Sequence, residues 1–170
     1  MKTLKIKRAR ELATFWHQNQ ERKYTGEPYI VHPAAVAKLI RDNGGTEDQI
    51  CAAWMHDVLE DTNCPEKDIA AFGNDVLRMV KGMTNPSKPE DGNRAARQAI
   101  DRQWLSDQFR DVLEIRICDI FDNTKSIERY DPKFAYGTYF PEKRLMMPTL
   151  KRASDFPLFW KMFEIINRDE

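Results

Sequence analysis

The chain has 170 residues, which is enough for one domain with a substantial hydrophobic core. Lys plus Arg and Asp plus Glu both number 27, so the formal net charge is zero and no overall positive field favours duplex nucleic acid or an anionic membrane. No apolar run approaches the ~18 residues of a membrane helix, and none of signal-peptide length follows Met1. The three cysteines lack Cys-x-x-Cys spacing, which favours buried thiols in a reducing cytoplasm.

The first half of the chain has the spacing of apolar residues that is typical of helices, with almost no strand-like alternation. Pro33 fits the first turn of a helix, Gly44 and Gly45 end that helix, and Thr46 caps the next one. The expected helices cover 8–20, 33–43, 47 to about 59, 65–73 and 74–83.

A break rich in proline and glycine follows at 85–92, and it is too short to be a domain linker. We interpret it as a surface loop that moves over a site. Further helices are expected at about 94–105, 109–127 and 156–167. The whole chain, 1–170, is therefore predicted to be a single all-α domain.

The segment His56-Asp-Val-Leu-Glu-Asp61 is the most informative stretch of the chain. On one continuous helix, His56 would lie beside Glu60 and Asp57 beside Asp61, because residues four apart are neighbours. Crowded carboxylates on a largely buried helix repel one another unless a cation or proton compensates them. A divalent metal is the simplest compensation.

Two other positions extend this candidate ligand set. His32 opens the second predicted helix, and Asp119 lies on an otherwise apolar helix with Asn123 four residues later. Two imidazoles and two carboxylates suit Mn²⁺, Fe²⁺ or Zn²⁺ better than Mg²⁺ or a thiolate-bound structural zinc. We therefore expect a metal site.

The pattern His32, His56-Asp57 and Asp119 resembles that of the HD phosphohydrolase superfamily. Four surrounding segments, at 22–33, 56–62, 72–84 and 119–123, resemble the hydrolase domain of RelA/SpoT homologues, which removes the 3′-pyrophosphate of guanosine tetra- and pentaphosphate. The resemblance covers about 9–130 and leaves 131–170 as a C-terminal helical extension. It implies a compact HD-domain helical bundle of about seven to nine helices, similar to the stand-alone small alarmone hydrolases.

The resemblance also implies roles for individual residues. His32, His56, Asp57 and Asp119 would hold Mn²⁺ or another divalent transition metal, and Glu60 and Asp61 match the family's catalytic acid pair. The residues matching nucleotide-binding positions are Arg22, Lys23, Asn123 and Ser126.

The chain departs from the family pattern at three places. Tyr24-Thr25 adds one residue after the basic pair, Asp122 stands where many relatives have histidine, and Arg116-Ile-Cys replaces the usual Lys-Leu-Ala before Asp119. The metal and acid positions are intact, so these departures leave hydrolysis as the expected activity. The preferred base stays open.

The resemblance leaves several functions to be distinguished. The leading one is a metal-dependent 3′-pyrophosphohydrolase of guanosine alarmones, with a small nucleotide as partner. The alternative is an antitoxin-type hydrolase of adenosine alarmones, pyrophosphorylated tRNA 3′ ends or a nicotinamide dinucleotide phosphate. Zero net charge argues against tRNA as the main substrate, because RNA-binding surfaces are usually basic, so no nucleic-acid partner is expected except a tRNA 3′ end. A non-catalytic binding module would have lost a ligand or acid, and the oligomeric state stays open.

Overall fold

The structure is a computed structural model that describes residues 3–168. It divides into two compact units, Met1–Thr84 and Asn85–Glu170, called here the N-terminal and C-terminal units. Within the described range the regular elements are helical, apart from one isolated antiparallel bridge between Glu21 and Pro28. The all-α prediction is therefore confirmed, whereas the single-domain organisation of 1–170 stays a prediction.

The N-terminal unit is built around one short, buried helix, α3. Its helices are α1 (Leu4–Trp16), α2 (Val31–Asp42), α3 (Glu47–Met55), α4 (Val58–Asp61), α5 (Glu66–Ala70) and α6 (Asn74–Met83). A capping box begins α3. The Thr46 hydroxyl group accepts a hydrogen bond from the Gln49 backbone N–H, and the Gln49 side-chain oxygen accepts one from the Thr46 backbone N–H. Helices α1, α2 and α6 all pack against α3, where fully buried Ala52 and Ala53 allow close approach.

The first and third predicted helices differ from the structure. Helix α1 begins at Leu4 rather than Arg8, because the Thr3 side chain caps it by accepting from the Ile6 backbone. Its buried face consists of Ala9 and Ala13, whereas the apolar side chain of Phe15 is 58% exposed.

Helix α3 ends at Met55 instead of about residue 59, and a turn at His56 and Asp57 separates it from α4. The prediction that one continuous helix runs through His56 and Asp57 is therefore wrong.

The C-terminal unit is organised around the longest helix of the described chain, α8. Its α-helices are α7 (Arg94–Ser106), α8 (Arg110–Tyr130), α9 (Pro132–Phe134), α10 (Phe140–Arg144), α11 (Met147–Leu150) and α12 (Leu158–Ile166). A π-helical turn, Ala135–Tyr139, joins α9 to α10, and 3₁₀ turns cover Pro89–Asp91 and Lys151–Ala153. Helix α12 packs against α8 and buries Leu158, Phe159, Met162 and Ile166.

The lengths of the helices agree with the predicted bundle. Of the described helices, seven have nine or more residues: α1, α2, α3, α6, α7, α8 and α12. None of the helices in residues 3–168 has both the length and the apolar character that crossing a membrane requires.

Candidate metal centre and acid pair

Three of the four predicted metal ligands meet inside the N-terminal unit. His32 lies in the first turn of α2, His56 caps the end of α3, and both are 1% exposed. Their ligand nitrogens lie within 4.8 Å of each other. The Asp57 Oδ2 atom is 2.9 Å from His56 Nε2 and 3.8 Å from His32 Nε2. The break between α3 and α4 thus turns adjacent residues, His56 and Asp57, towards the same point.

The hydrogen bonding of His56 indicates that a cation fits at this point. His56 Nδ1 donates to the Ala53 carbonyl at 2.9 Å, so Nε2 presents a lone pair in the neutral ring. That lone pair faces the Asp57 carboxylate at 2.9 Å, and two acceptors this close repel each other unless a proton or metal ion lies between them. In metal-bound histidines the ring nitrogen that does not bind the metal usually donates to a carbonyl or carboxylate, which fixes the orientation of the ring. The N-terminal unit therefore contains a candidate divalent-metal site.

Tyr29 and His17 belong to this site, although sequence reasoning did not single them out. The Tyr29 hydroxyl donates to Asp57 Oδ2 at 2.7 Å, and the Tyr29 ring lies 4.8 Å from the His17 ring. His17 is 1% exposed, and its Nδ1 is 2.6 Å from Gln20 Oε1. The amide of Gln20 in turn donates to the Asp61 backbone carbonyl at 2.8 Å. The sequence offered one signal for His17, which is the third of only three histidines in the chain. Its contacts with Tyr29 and Gln20 could not be predicted, because they depend on the fold.

The predicted acid pair, Glu60 and Asp61, lies in the single turn of α4, and both residues are exposed. Partial removal of the Asp61 carboxyl group from water, followed by the negative charge of Asp57, raises the pKa of Asp61. A hydrogen bond from Tyr29 acts in the opposite direction. The structure thus places one candidate proton acceptor beside the histidine and carboxylate cluster, with its pKa raised above the ordinary value.

Arg22 and Lys23 lie in the loop before α2. The Arg22 backbone N–H donates to the Glu27 carbonyl at 2.8 Å, and Gly26, at φ 69°, closes the turn. The Arg22 guanidinium lies 6.0 Å from the centre of the Tyr29 ring, which contacts Asp57, whereas exposed Lys23 lies over Tyr24 at 5.0 Å. The contact with Tyr29 therefore directs Arg22 towards a residue of the candidate site.

Asp119 lies on α8 in the C-terminal unit and is 8% exposed. Its two oxygens accept separate hydrogen bonds, Oδ1 from Asn123 Nδ2 at 2.7 Å and Oδ2 from Arg116 Nη1 at 3.1 Å. Ser126 Oγ donates to the Asn123 backbone carbonyl at 3.1 Å. Asn123 and Ser126, predicted to bind nucleotide, therefore also have structural partners on their own helix.

The family comparison agrees with this site. A model of the HD domain matches residues 9–120. The chain is 31% identical over 150 residues to a protein of Synechocystis named as a probable guanosine-3′,5′-bis(diphosphate) 3′-pyrophosphohydrolase. That alignment covers 86% of this chain and 20% of the relative. An Aquifex aeolicus enzyme named for the same activity is 35% identical, with 72% of this chain and 18% of the enzyme covered.

Solved structures have the same fold. A metazoan orthologue of SpoT, described as hydrolysing ppGpp, matches with a TM-score of 0.80 and 24% identity, and the match covers 96% of this chain and 94% of that one. A Listeria monocytogenes protein matches with a TM-score of 0.63 over 84% of this chain and 97% of its own. The chain spans about a fifth of the length of the curated relatives named above. The family model, which covers more than half of the sequence, shows that the chain belongs to the HD-domain family.

Proposed function

We propose that this chain is a divalent-metal-dependent pyrophosphohydrolase that removes the 3′-pyrophosphate of guanosine tetra- and pentaphosphate-like nucleotides. The proposal rests on the convergence of His32, His56 and Asp57. Beside them lies the carboxyl group of Asp61, whose pKa is raised. The names of the relatives from Synechocystis and Aquifex aeolicus support the choice of substrate.

We propose Mn²⁺ as the metal and Asp119 as the fourth ligand, beside His32, His56 and Asp57. Mixed imidazole and carboxylate donors are appropriate for Mn²⁺, and these four side chains would hold it. When bound, the metal polarises a phosphoryl oxygen and lowers the pKa of a coordinated water.

The acid pair handles the proton of the attacking water. As the water oxygen bonds to phosphorus and the bond to the ribose 3′ oxygen breaks, a carboxylate of Glu60 or Asp61 accepts the water proton. The acid pair then returns that proton to the 3′ oxygen, which leaves as a hydroxyl group. The raised pKa of Asp61 supports it in this role, because a carboxylate with a higher pKa is a stronger base. Tyr29 holds the Asp57 carboxylate in place through its hydroxyl group.

Substrate binding is assigned to Arg22, Lys23, Asn123 and Ser126. Arg22 and Lys23 supply cationic contacts to phosphate or base, and Asn123 and Ser126 supply polar contacts to the nucleotide. The contact of Arg22 with Tyr29 supports its place near the site, whereas Lys23 would have to leave Tyr24 to reach a nucleotide.

The test is a turnover assay of the purified protein with Mn²⁺ and a panel of substrates. The panel contains guanosine and adenosine tetraphosphates, a nicotinamide dinucleotide phosphate, a deoxynucleoside triphosphate and 3′-pyrophosphorylated tRNA. We expect Mn²⁺-dependent release of pyrophosphate, fastest from the guanosine tetraphosphate. Preference for the adenosine compound, the dinucleotide or the tRNA would instead support the antitoxin-type alternative. Failure to hydrolyse any 3′-pyrophosphate in the panel would refute the proposal.

A further inference from the structure

A groove in the N-terminal unit has no part in the catalytic and binding roles proposed above. Helices α1 and α2 both pack against α3 but make few contacts with each other. The space between them forms a cavity of about 530 Å³, within the usual range of small-molecule sites. None of the proposed metal ligands, acids or nucleotide-binding residues lines it.

The walls of this groove follow from the spacing of residues on the helices. On α2 the positions that line it include Ala34 and Ala37, three residues apart, and their small side chains leave the space open. The floor is formed by Ile50 and Trp54 of α3, four residues apart and therefore on one face. The groove thus offers an apolar surface with an aromatic ring.

The edges of the groove are cationic. Lys7 and Arg10 of α1 and Lys38 and Arg41 of α2 line the cavity and are exposed. Among the described residues that line it, none is acidic, although the chain as a whole has equal numbers of acids and bases. The Arg10 guanidinium lies 5.9 Å from the centre of the Trp54 ring.

Three neighbouring acids reduce this positive charge without cancelling it. Glu11 lies 3.7 Å from Lys7, Asp42 pairs with both Lys38 and Arg41, and Glu47 accepts a hydrogen bond from the hydroxyl group of Thr3, which lines the groove. These pairs are exposed, so their mutual attraction is weak and salt-dependent, and an anion in the groove can compete for the cations.

We propose that this groove is a binding site for a small organic anion with a flat apolar ring system and at least one phosphate, sulfate or carboxylate group. The ring system of the ligand packs against Ile50 and Trp54. The Arg10 guanidinium, which already lies near the Trp54 ring, contacts a face of the ligand ring by a cation–π interaction. The anionic group contacts Lys7 and Lys38 at the edges. The site is separate from the proposed hydrolytic function and does not depend on it.

A matched pair of fluorescent probes tests the proposal. Anilinonaphthalene sulfonate has the required ring and charge, and phenylnaphthylamine has the same ring skeleton without the sulfonate. We expect saturable binding of the sulfonate, weakened by added salt, and at least about tenfold weaker binding of the neutral probe. Equal affinity for both probes would contradict the role of the cations.

Charge-reversal variants locate the site. The double variant Lys7→Glu with Lys38→Glu should weaken binding of the sulfonate probe at least about tenfold. The control is Lys67→Glu with Lys81→Glu, which makes the same change of net charge at exposed positions outside the groove. It also disrupts one lysine–glutamate ion pair, that of Lys81 with Glu66. Equal loss in the two double variants would overturn the proposal, because it would reflect only the overall charge.

Fluorine NMR of fluorotryptophan-labelled protein provides an independent readout. The chain has four tryptophans, and the Trp54 signal is assigned by its loss in Trp54→Phe. The probe should shift the Trp54 signal while leaving those of Trp104 and Trp160 unchanged. An unchanged Trp54 signal at saturation would overturn the proposal.

Competition then distinguishes the kinds of natural ligand. Displacement of the probe by adenosine monophosphate would assign the site to phosphate-bearing rings, and displacement by salicylate to carboxylate-bearing ones. Displacement by neither compound would refute the site as one for this class of ligand.

Discussion

Both oxygens of the Asp119 carboxylate are held by side chains of the same helix, one by Asn123 and the other by Arg116. Hydrogen bonds of this kind fix the rotamer of a metal-binding carboxylate and so prepare it for the ion. Asn123 was predicted as a nucleotide-binding residue, but its 2.7 Å bond to Asp119 also makes it a candidate positioning residue. The two roles can be separated by experiment.

Replacing Asn123 by leucine tests its role in metal binding. We expect Asn123→Leu to lower the Mn²⁺ affinity about 10- to 100-fold, because Asp119 Oδ1 loses its donor. The measurement is Mn²⁺ titration by calorimetry without nucleotide, so that substrate contacts cannot contribute. Ser126→Ala is the control, since Ser126 donates to a backbone carbonyl rather than to Asp119. A raised KM with unchanged Mn²⁺ affinity would show that Asn123 serves the substrate alone.

The division between metal ligands and acids can be tested in the same way. Glu60→Gln should retain Mn²⁺ but lose about 100-fold or more in kcat, because it removes one of the two carboxylates of the acid pair proposed to handle the water proton. His56→Ala should lose Mn²⁺, because it removes a buried ligand nitrogen. Glu66→Gln makes the same charge change as Glu60→Gln at an exposed position on α5 and should leave kcat unchanged. Equal loss of metal in Glu60→Gln and His56→Ala would contradict the division of roles.

At the level of helices and loops, the most consequential feature is where the elements end. The break between α3 and α4 brings Asp57 back towards His56 and His32, which an unbroken helix would not do.

A second such feature is the loop at 85–92, interpreted from sequence as a segment that moves over a site. The Ser87 backbone N–H and hydroxyl group donate to the two oxygens of Asp101, at 3.2 and 3.0 Å, and Asp101 is 5% exposed on α7.

Removing this anchor should loosen the loop. Asp101→Ala is expected to increase amide hydrogen exchange at Ser87 at least about tenfold and to reduce the free energy of unfolding by about 1–3 kcal/mol, because both donors lose their acceptor. Exchange is followed by NMR and stability by urea denaturation. Asp107→Ala, at an exposed position just after α7, is the matched control. Unchanged exchange at Ser87 would show that the loop is held by other contacts.

At the level of the whole molecule, the proposed ligand set draws on both units. His32, His56 and Asp57 belong to the N-terminal unit and Asp119 to the C-terminal unit. A ligand that binds only the folded state stabilises every element that its site requires. Metal binding therefore tests both the ligand set and the predicted single-domain organisation of 1–170.

Mn²⁺ at about 100 times its dissociation constant should stabilise the wild-type protein by roughly 2.7 kcal/mol. Trp54 reports on the N-terminal unit and Trp160 on the C-terminal unit, so fluorine NMR during urea denaturation follows the two separately. We expect one shared transition that Mn²⁺ moves to higher urea concentration for both signals, and a smaller shift in Asp119→Asn. A Mn²⁺ effect confined to Trp54 in the wild-type protein would exclude Asp119 as a ligand, and two separate transitions would contradict the single domain.

The amino-acid sequence by itself determined the helical class, most element positions and the kinds of side chain at the site. These depend on local rules: apolar spacing, caps such as Thr46, and the adjacency of His56 and Asp57. The four-residue spacing of Asp119 and Asn123 likewise predicted their shared face, which the hydrogen bond confirms.

Only the tertiary structure decided which distant segments meet. Tyr29 reaches Asp57 across 28 positions and Gln20 reaches Asp61 across 41, and neither contact has a signature in local periodicity. The end of α3 at Met55 also depends on packing, because the apolar pattern continues past the break. The groove between α1 and α2 depends on packing as well, because the pattern does not show how far apart two helices lie when both pack against a third. Local spacing specifies which faces are apolar, whereas the packing of those faces sets the geometry in which the chemistry can occur.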